Sequence, residues 1–318
     1  MRLQALNPQN LPTPKQEEWK YTNLGRFLPD GLVAAEQSQA EFIHIKSGQN
    51  GGVSADKPLM ALFTGLSGGI LNPSLEIKLE AGAKALVIEE HKGEGAYWKN
   101  MISEIVLEEG AQLTHIRLIN ESAAGVQTNM ARVQAASDAQ YHGYALNMGA
   151  KALRHDIQAT IEGAGAHICF NGVNLLRERQ HADTTILMTH KAGPATSNQF
   201  YRSVLDDLST AVFQGKVHVE RPAQKTDAYQ MSNALLLSER AEMITKPELE
   251  IYADDVACSH GATSGQIDEA ALFYLRSRGV PAQEAKSMLI YAFVMEVFDG
   301  LDEAQREVIE ERITQWMR

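Results

Sequence analysis

The chain has 318 residues, 40 of them acidic and 29 basic, and its formal net charge of −11 opposes non-specific binding to nucleic acid and to anionic membranes. No apolar run approaches the ~18 residues of a membrane span, and the first residues lack the pattern of a signal peptide, so we expect a cytoplasmic protein. Two cysteines, Cys169 and Cys258, are too few for a disulfide framework.

A short helix is predicted near the start of the chain. Thr13 can cap a helix and Pro14 suits its first position. Gln16 lies three residues after the cap, which is the spacing of a capping box. The helix should then continue through residues 17–21.

Strand-like segments dominate from about residue 76. Before this point, residues 30–75 show a mixed pattern with glycine-rich breaks at Gly51-Gly52 and Gly68-Gly69, from which we predict no architecture. After it, short runs alternate between apolar and polar residues and are separated by small residues, which is typical of strands. The runs are Leu75–Leu79, Gln112–Ile119, His167–Val173, Thr184–His190, Ala211–Val219 and Leu249–Tyr252.

Four alanines recur at a nearly constant interval in this region. Ala83, Ala111, Ala139 and Ala166 each end a corner of small residues directly before a strand-like run. Their spacings are 28, 28 and 27 residues (83 to 111, 111 to 139, 139 to 166), which indicates the stacked turns of a solenoid. A β-sandwich, the alternative, would show turns every ~8–12 residues without a longer period. We therefore predict a mainly β fold, a β-helix.

Helices are predicted after Gly265. One spans Ile267–Ser277, a second begins at Pro281 and runs to about Phe298, and a third is capped by Asp302 and reaches Trp316. The third helix has one apolar side, which is usually packed into a core. Together the helices carry much apolar surface, and we expect part of it to bind a partner. The apolar side of the third helix consists of Val308, Ile309, Ile313 and Trp316.

Cys258 and His260 carry the strongest chemical signal. At positions i and i+2 of an extended strand they share one face, and a thiolate beside an imidazole can bind a soft or borderline metal ion. Two ligands do not complete a four-coordinate site, so another chain or a small molecule would supply the rest. The alternative is that the thiol is a packing residue and the imidazole is only hydrogen-bonded.

Other chemistry receives little support. A cysteine hydrolase would need His260 to aim at Cys258, whereas such neighbours on a strand point in parallel. His181, Asp183 and His190 could bind a metal, but they also fit polar positions on the outer face of a solenoid. No nucleotide-binding glycine loop is present. A carbohydrate-active enzyme is suggested only by fold analogy, without a convincing acidic cluster.

Eight short motifs stand out, seven of them between residues 160 and 300 and one near the start of the chain. They are Glu18–Thr22, His190–Gln199, Phe213–Lys216, Ala223–Asp227, Leu235–Ser238, Lys246–Glu250, Asp254–Thr263 and Leu272–Gly279. Together they closely resemble the SufB/SufD family of iron–sulfur cluster assembly proteins. The Cys-Ser-His-Gly-Ala-Thr motif at residues 258–263 is similar to the SufD-type branch, whereas the SufB-type branch typically has a His-Glu pair before its Ala-Thr.

The resemblance implies a right-handed parallel β-helix in three parts: an N-terminal mixed helical region (1–75), a β-helix core (76–265) and a C-terminal helical domain (266–318). It implies a non-catalytic subunit, not an enzyme, that pairs with a SufB-like subunit across the end of the β-helix. The C-terminal domain would bind a SufC-like ATPase. The apolar residues that we expect in this ATPase-binding region are Phe273, Tyr274, Leu275, Phe293 and Phe298.

The resemblance also gives Cys258 and His260 a role, which is to hold iron or a nascent iron–sulfur cluster at the interface while the SufB-like subunit adds cysteine and acid ligands. Iron or cluster would be transient there, and we expect no cofactor bound stably by the isolated chain. Closure of two ATPase subunits would rearrange the junction. A purely structural adaptor remains the alternative. An isolated solenoid exposes strand edges, so self-association to a homodimer is also reasonable.

Overall fold

A computed structural model of the chain describes residues 4–35, 39–47, 50–51 and 58–317, so Gly52 of the predicted glycine break lies outside the described residues. Two parallel sheets make up most of the described chain. Sheet A contains β1 (Val33–Ala34), β2 (Ala40–Ile45), β5 (Gly69–Leu71), β6 (Ser74–Leu79), β8 (Trp98–Leu107), β10 (Val126–Ala135), β12 (Ala152–Ile161), β14 (His181–His190), β16 (Thr210–Val219) and β18 (Glu242–Ile251). Sheet B contains β3 (Asn50–Gly51), β4 (Leu59–Gly65), β7 (Lys84–Gly93), β9 (Gln112–Asn120), β11 (Gln140–Met148), β13 (His167–Leu176), β15 (Ala195–Leu205), β17 (Thr226–Leu236) and β19 (Val256–Gly265).

The two sheets are the two walls of a parallel β-solenoid of about seven turns. From β7 onward the chain alternates between the sheets, and from β8 onward each strand pairs in parallel with the strand two elements earlier. One turn therefore uses one strand of each sheet plus two corners. This arrangement confirms the predicted β-helix and excludes the sandwich, because the sheets of a sandwich are antiparallel. Each predicted strand-like run lies largely within one of these strands.

The repeated alanines form one corner of the solenoid. Ala83, Ala111, Ala139 and Ala166 are at most 1% exposed, and each directly precedes a strand of sheet B. From Ala111 onward, the amide of the residue after each alanine donates to the carbonyl of the alanine one turn earlier, at 2.8 Å for Gln112 on Ala83. A side chain larger than alanine would have to enter a filled interior at this corner, which explains the period in the sequence.

Strand pairing begins earlier in the chain than residue 76. β2 pairs with β6, and β4 pairs with β7, so segments on both sides of residue 76 form continuous ladders. No architecture was predicted for these residues because several of the first strands are very short. The domain boundaries at 75 and 265 stay predictions.

The first turns of the solenoid enclose charged groups among the apolar core. Glu89 is completely buried and lies 2.9 Å from the Nε of Arg117 and 2.5 Å from the Nε2 of His91. Burial raises the pKa of Glu89, but Arg117 and His91 outweigh this effect and hold the pKa well below its usual range. The carboxylate therefore stays ionised inside the solenoid, where several partners compensate for its desolvation.

The N-terminal segment crosses the outer face of sheet A. The Trp19 ring lies over the guanidinium of Arg154, 4.4 Å from ring centroid to Cζ, and Thr22 contacts His181 and Asp183. The predicted capping box forms in part, since the Gln16 side chain accepts a bond of 2.9 Å from the Thr13 amide. The expected helix is a single 3₁₀ turn over Glu17–Trp19, followed by α1 (Leu24–Phe27).

Three helices follow the last strand, as predicted. They are α2 (Glu269–Ser277), α3 (Ala282–Met295), which continues into a 3₁₀ turn at Glu296–Phe298, and α4 (Glu303–Met317). The Asp268 carboxylate caps α2, and the Asp302 carboxylate accepts a bond of 2.9 Å from the Gln305 amide at the start of α4. No helix in the described part of the chain is long and apolar enough to cross a membrane.

The helices cover part of the outer face of sheet B. Ile309 and Ile313 of α4 are completely buried against a cluster that includes Leu146 and Val173 of the sheet. The Arg177 guanidinium packs over the Trp316 ring at 4.3 Å. The apolar side of the last helix is therefore core, as its pattern predicts.

The alanine corner can be tested by enlarging one side chain. We expect Ala166→Leu to lower the free energy of unfolding by about 1–3 kcal/mol, because overpacking a filled interior costs about that amount. Ala164 is the matched control, since it lies two residues earlier in the same corner but is exposed; Ala164→Leu should change stability by less than about 0.5 kcal/mol. Urea unfolding measures both. Equal stabilities of the two variants would contradict the close packing around Ala166.

Candidate functional site

The solenoid ends in an open turn. β18 is the last strand of sheet A and β19 the last strand of sheet B, and within the described ranges each pairs along one edge only, with β16 and β17 respectively. None of the residues of β18 and β19 is buried. Two strands of ten residues each therefore present unpaired amide and carbonyl groups side by side, a surface on which another strand can pair.

Cys258 and His260 lie on the inner row of this last turn. In register, Cys258 stacks on Ala228 and His260 on Gln230, both of which are at most 1% exposed inside the solenoid. Cys258 is half-buried and packs against the core, whereas His260 is exposed. The predicted i, i+2 arrangement on a strand is therefore confirmed. The thiol and the imidazole lie at the open end of the solenoid interior.

The chemistry available at this position is limited. Burial raises the pKa of the Cys258 thiol, so the thiol is protonated at neutral pH until a bound cation displaces the proton or a base accepts it. Among the described residues, no hydrogen bond joins Cys258 to His260. No third histidine, cysteine or acidic side chain in this part of the chain lies close enough to form a metal site with them. The pair offers one soft and one borderline ligand to a metal ion at the open end.

The two cysteines are separated in space. Cys169 lies on the outer row of sheet B, in β13, and β13 is three strands from β19 along the sheet. Neighbouring strands are ~4.8 Å apart, so the two Cα positions are about 14 Å apart, too far for a disulfide. This agrees with the expectation that the cysteines do not form a disulfide framework.

The other candidate ligands are buried structural groups. His181 and Asp183 lie on the outer face of sheet A, but the N-terminal segment covers them. His190 is in the interior of the solenoid, where its Nε2 is 2.8 Å from the Ser197 hydroxyl. His181 and Asp183 therefore occupy the outer face, as the sequence suggested, although alternation along a strand does not reveal the segment that covers them. The placement of His190 on the outer face was wrong, because this residue faces the interior.

The residues expected to bind an ATPase divide into three groups by their exposure. Phe273 and Tyr274 of α2 are 73% and 57% exposed, and α2 has no buried residue. Leu275 and Phe293 are half-buried. Phe298 is completely buried, with its ring 6.3 Å from that of Tyr144. Phe298 therefore belongs to the core between the helices and sheet B, which corrects its placement on a binding surface.

The chain matches the model of a known protein family, "SUF system FeS cluster assembly, SufBD core domain", over residues 63–293. This range includes Cys258, His260, Phe273 and Tyr274, together with most of the solenoid. It ends before Phe298.

Individual relatives agree with the family model. The chain is 34% identical to the iron–sulfur cluster assembly protein SufD of Escherichia coli, in an alignment that covers 98% of the chain and 91% of the relative. It is 36% identical to the SufBD family protein slr0076 of Synechocystis over 73% of the chain, and 33% identical to the chloroplastic protein ABCI7 of Arabidopsis thaliana over 72%. The chain spans about half the length of these last two relatives, 53% and 49%.

The exposure of the two thiols can be tested by alkylation. We expect a maleimide reagent to modify Cys258 before Cys169, because Cys258 is half-buried at the open end whereas Cys169 is 5% exposed. Peptide mass spectrometry over time identifies the modified residue. A Cys258→Ser variant, as control, should lose the fast phase and keep the slow one. Modification of Cys169 first would contradict the placement of the two residues.

Proposed function

Since the chain belongs to the SufBD family of iron–sulfur cluster assembly proteins, we propose that it is a non-catalytic subunit that pairs with a SufB-like protein through the open end of its solenoid. The observation that carries the proposal is the position of Cys258 and His260 on the inner row of the exposed last turn. A partner that closes this end meets both side chains at once.

The unpaired edges of β18 and β19 support pairing with another β-helix. A parallel solenoid is stabilised by ladders between successive turns, so a partner that adds strands to both sheets extends them without new architecture. It also covers apolar side chains that are half-buried on the last turn. These are Met243, Leu249, Val256 and Cys258. A second copy of the chain could use the same edges, which is the basis for a homodimer of the isolated chain.

In the proposed complex, iron or a nascent cluster is the cargo. The Cys258 thiolate and the His260 imidazole are suitable ligands for iron or for a cluster, and the SufB-like partner supplies the remaining ligands. The thiol proton leaves when the cation binds. The pair thus remains an incomplete site until the complex forms.

A structural adaptor is the second candidate, and one observation favours it. Cys258 packs against the apolar core as a small hydrophobic residue does. In that case the open end still pairs with the partner, but neither residue contributes to the cargo. The two candidates differ only in what the side chains do once the complex exists.

For the SufC-like ATPase we propose a docking surface on α2. Phe273 and Tyr274 expose aromatic rings, and Met288 of α3 is 46% exposed. Such exposed apolar side chains are suited to bind a partner. The anchoring of α3 to sheet B supports mechanical coupling, since Arg202 of β15 packs over the Phe293 ring and pairs with Glu296 at 2.6 Å. Movement of the helices during ATP-driven closure would therefore reach the solenoid.

The ligand role predicts a loss of iron without a loss of assembly. The chain is co-expressed with the SufB-like and SufC-like proteins of its own organism, and native mass and iron content are measured. We expect Cys258→Ala with His260→Ala to form the heteromer but to lose most of its iron or cluster, and His260→Ala alone to impair cluster assembly.

The matched control is Ser259→Ala, because Ser259 lies between the two residues and points to the opposite face of the strand. It should retain the iron. An unchanged iron content in the double variant would reject the ligand role and favour the structural adaptor. Absence of any heteromer for the wild-type chain would reject the pairing itself.

The docking surface predicts that two exposed residues affect binding but not folding. We expect Phe273→Asp with Tyr274→Asp to weaken binding of the ATPase by about 30-fold or more, since truncating a central aromatic contact typically costs at least ~2 kcal/mol. Thermal unfolding should be nearly unchanged. Isothermal titration with the purified ATPase measures the affinity.

Two control variants separate binding from folding. Glu303→Ala, at the exposed start of α4, should leave both properties unchanged. Phe298→Ala should instead lower the free energy of unfolding by about 3–5 kcal/mol, as expected for a buried phenylalanine. Wild-type affinity in the Phe273 and Tyr274 variant would contradict the surface.

A further inference from the structure

A second cluster of metal-ligating side chains lies on the outer face of sheet B. Among the described residues, His142, His167 and Cys169 form a group whose potential ligand atoms all lie within 4.8 Å of one another. His142 belongs to β11, and the other two belong to β13, the next strand of the sheet. His142 and Cys169 are register partners, and His167 lies two residues before Cys169 on the same face. Stacking of two turns therefore brings the three side chains together.

The distances are close to those of a metal site. The Cys169 Sγ is 3.4 Å from the His142 Nδ1, and the two histidine rings are 5.2 Å apart between centroids. In a tetrahedral zinc site with bonds of ~2.3 Å to sulfur and ~2.0–2.1 Å to nitrogen, the sulfur and nitrogen atoms are about 3.5 Å apart. The Cys169–His142 pair already has this separation. The third ligand atom, from His167, lies within 4.8 Å of both.

The surroundings supply outer-shell partners. The His167 Nδ1 is 2.6 Å from the Thr196 hydroxyl, which leaves its Nε2 for a metal, and the Asn171 amide donates to the Cys169 Sγ at 3.5 Å. Such partners orient the ligands of metal sites. Asn198 is the register partner of Cys169 on the following strand, and its buried Oδ1 accepts no hydrogen bond from the described residues. A polar atom without a partner therefore lies beside the cluster.

We propose that His142, His167 and Cys169 bind one borderline divalent transition-metal ion of the Zn²⁺ class. The two imidazoles and the thiolate are the donor set that such ions prefer, and the two half-buried histidines leave the cluster open to solvent. On binding, the Cys169 thiol loses its proton to solvent, and water or the Asn198 Oδ1 takes the fourth position. The ion fastens two adjacent turns of the solenoid together.

This site is independent of the proposed function. It faces outward from sheet B, whereas Cys258 and His260 lie on the inner row three strands away. It is contained within a single chain and needs no partner subunit. An experiment that rejects one of the two proposed sites therefore does not test the other.

The test uses cobalt(II), a spectroscopic substitute for zinc, on the full chain without partner proteins. The background is Cys258→Ser with His260→Ala, which removes the other thiol and imidazole pair. We expect one cobalt ion per chain, a thiolate-to-cobalt charge-transfer band in the near ultraviolet, and displacement of the cobalt by zinc. Zinc should also raise the midpoint of thermal unfolding of the wild-type chain, because it binds the folded state.

Each ligand variant should weaken cobalt binding by more than about 100-fold, since loss of an outer-shell partner alone typically costs ~10–100-fold. The variants are His142→Gln, His167→Gln and Cys169→Ala. Thr196→Val, which removes only the partner of His167, should weaken binding by about tenfold. The histidines are half-buried, so their variants keep the test valid if Cys169→Ala fails to fold. Absence of the charge-transfer band in the background chain, or its survival in both histidine variants, would overturn the proposal.

Discussion

Backbone hydrogen bonding between successive turns is the constraint on which this structure depends. In a parallel solenoid each strand bonds to the turn before and the turn after, so every strand inside the stack is satisfied and the edge strands are not. The alanine corner maintains the spacing of the turns. The stack must therefore end in exposed edges, and β18 with β19 is such an end. The proposed partner subunit at this position would continue the same ladder.

The two sheets give the solenoid three environments with different chemistry. The interior is mostly apolar, but in its first turns it holds ionised groups that compensate one another, as Glu89 and Arg117 do. The N-terminal segment covers part of the outer face of sheet A, whereas the outer face of sheet B carries both the C-terminal helices and the cluster around Cys169. The helices pack on sheet B through Phe298 and its neighbours, and the proposed movement of α2 would reach the strands through this packing.

The sequence was sufficient for the repeat, the β-helix, the three final helices and the placement of Cys258 beside His260, because each depends on local spacing. Burial by distant segments could not be read locally. His181 lies beneath a segment about 160 residues earlier in the chain, and Phe298 packs against Tyr144, which is 154 residues earlier (298 − 144). The cluster around Cys169 did have a signal, since His142 and Cys169 are 27 residues apart (169 − 142), one turn of the solenoid. His167 and Cys169 also repeat the i, i+2 spacing of Cys258 and His260.

Amide hydrogen exchange of the chain, alone and with the proposed SufB-like partner, is the sharpest test of whether the open end is the pairing surface. If it is, amides of Glu242–Ile251 and Val256–Gly265 will exchange quickly in the isolated chain and become strongly protected in the complex, while the interior strands change little. A complex in which these two strands exchange as they do in the isolated chain, with protection on another face, would show that the subunits pair elsewhere.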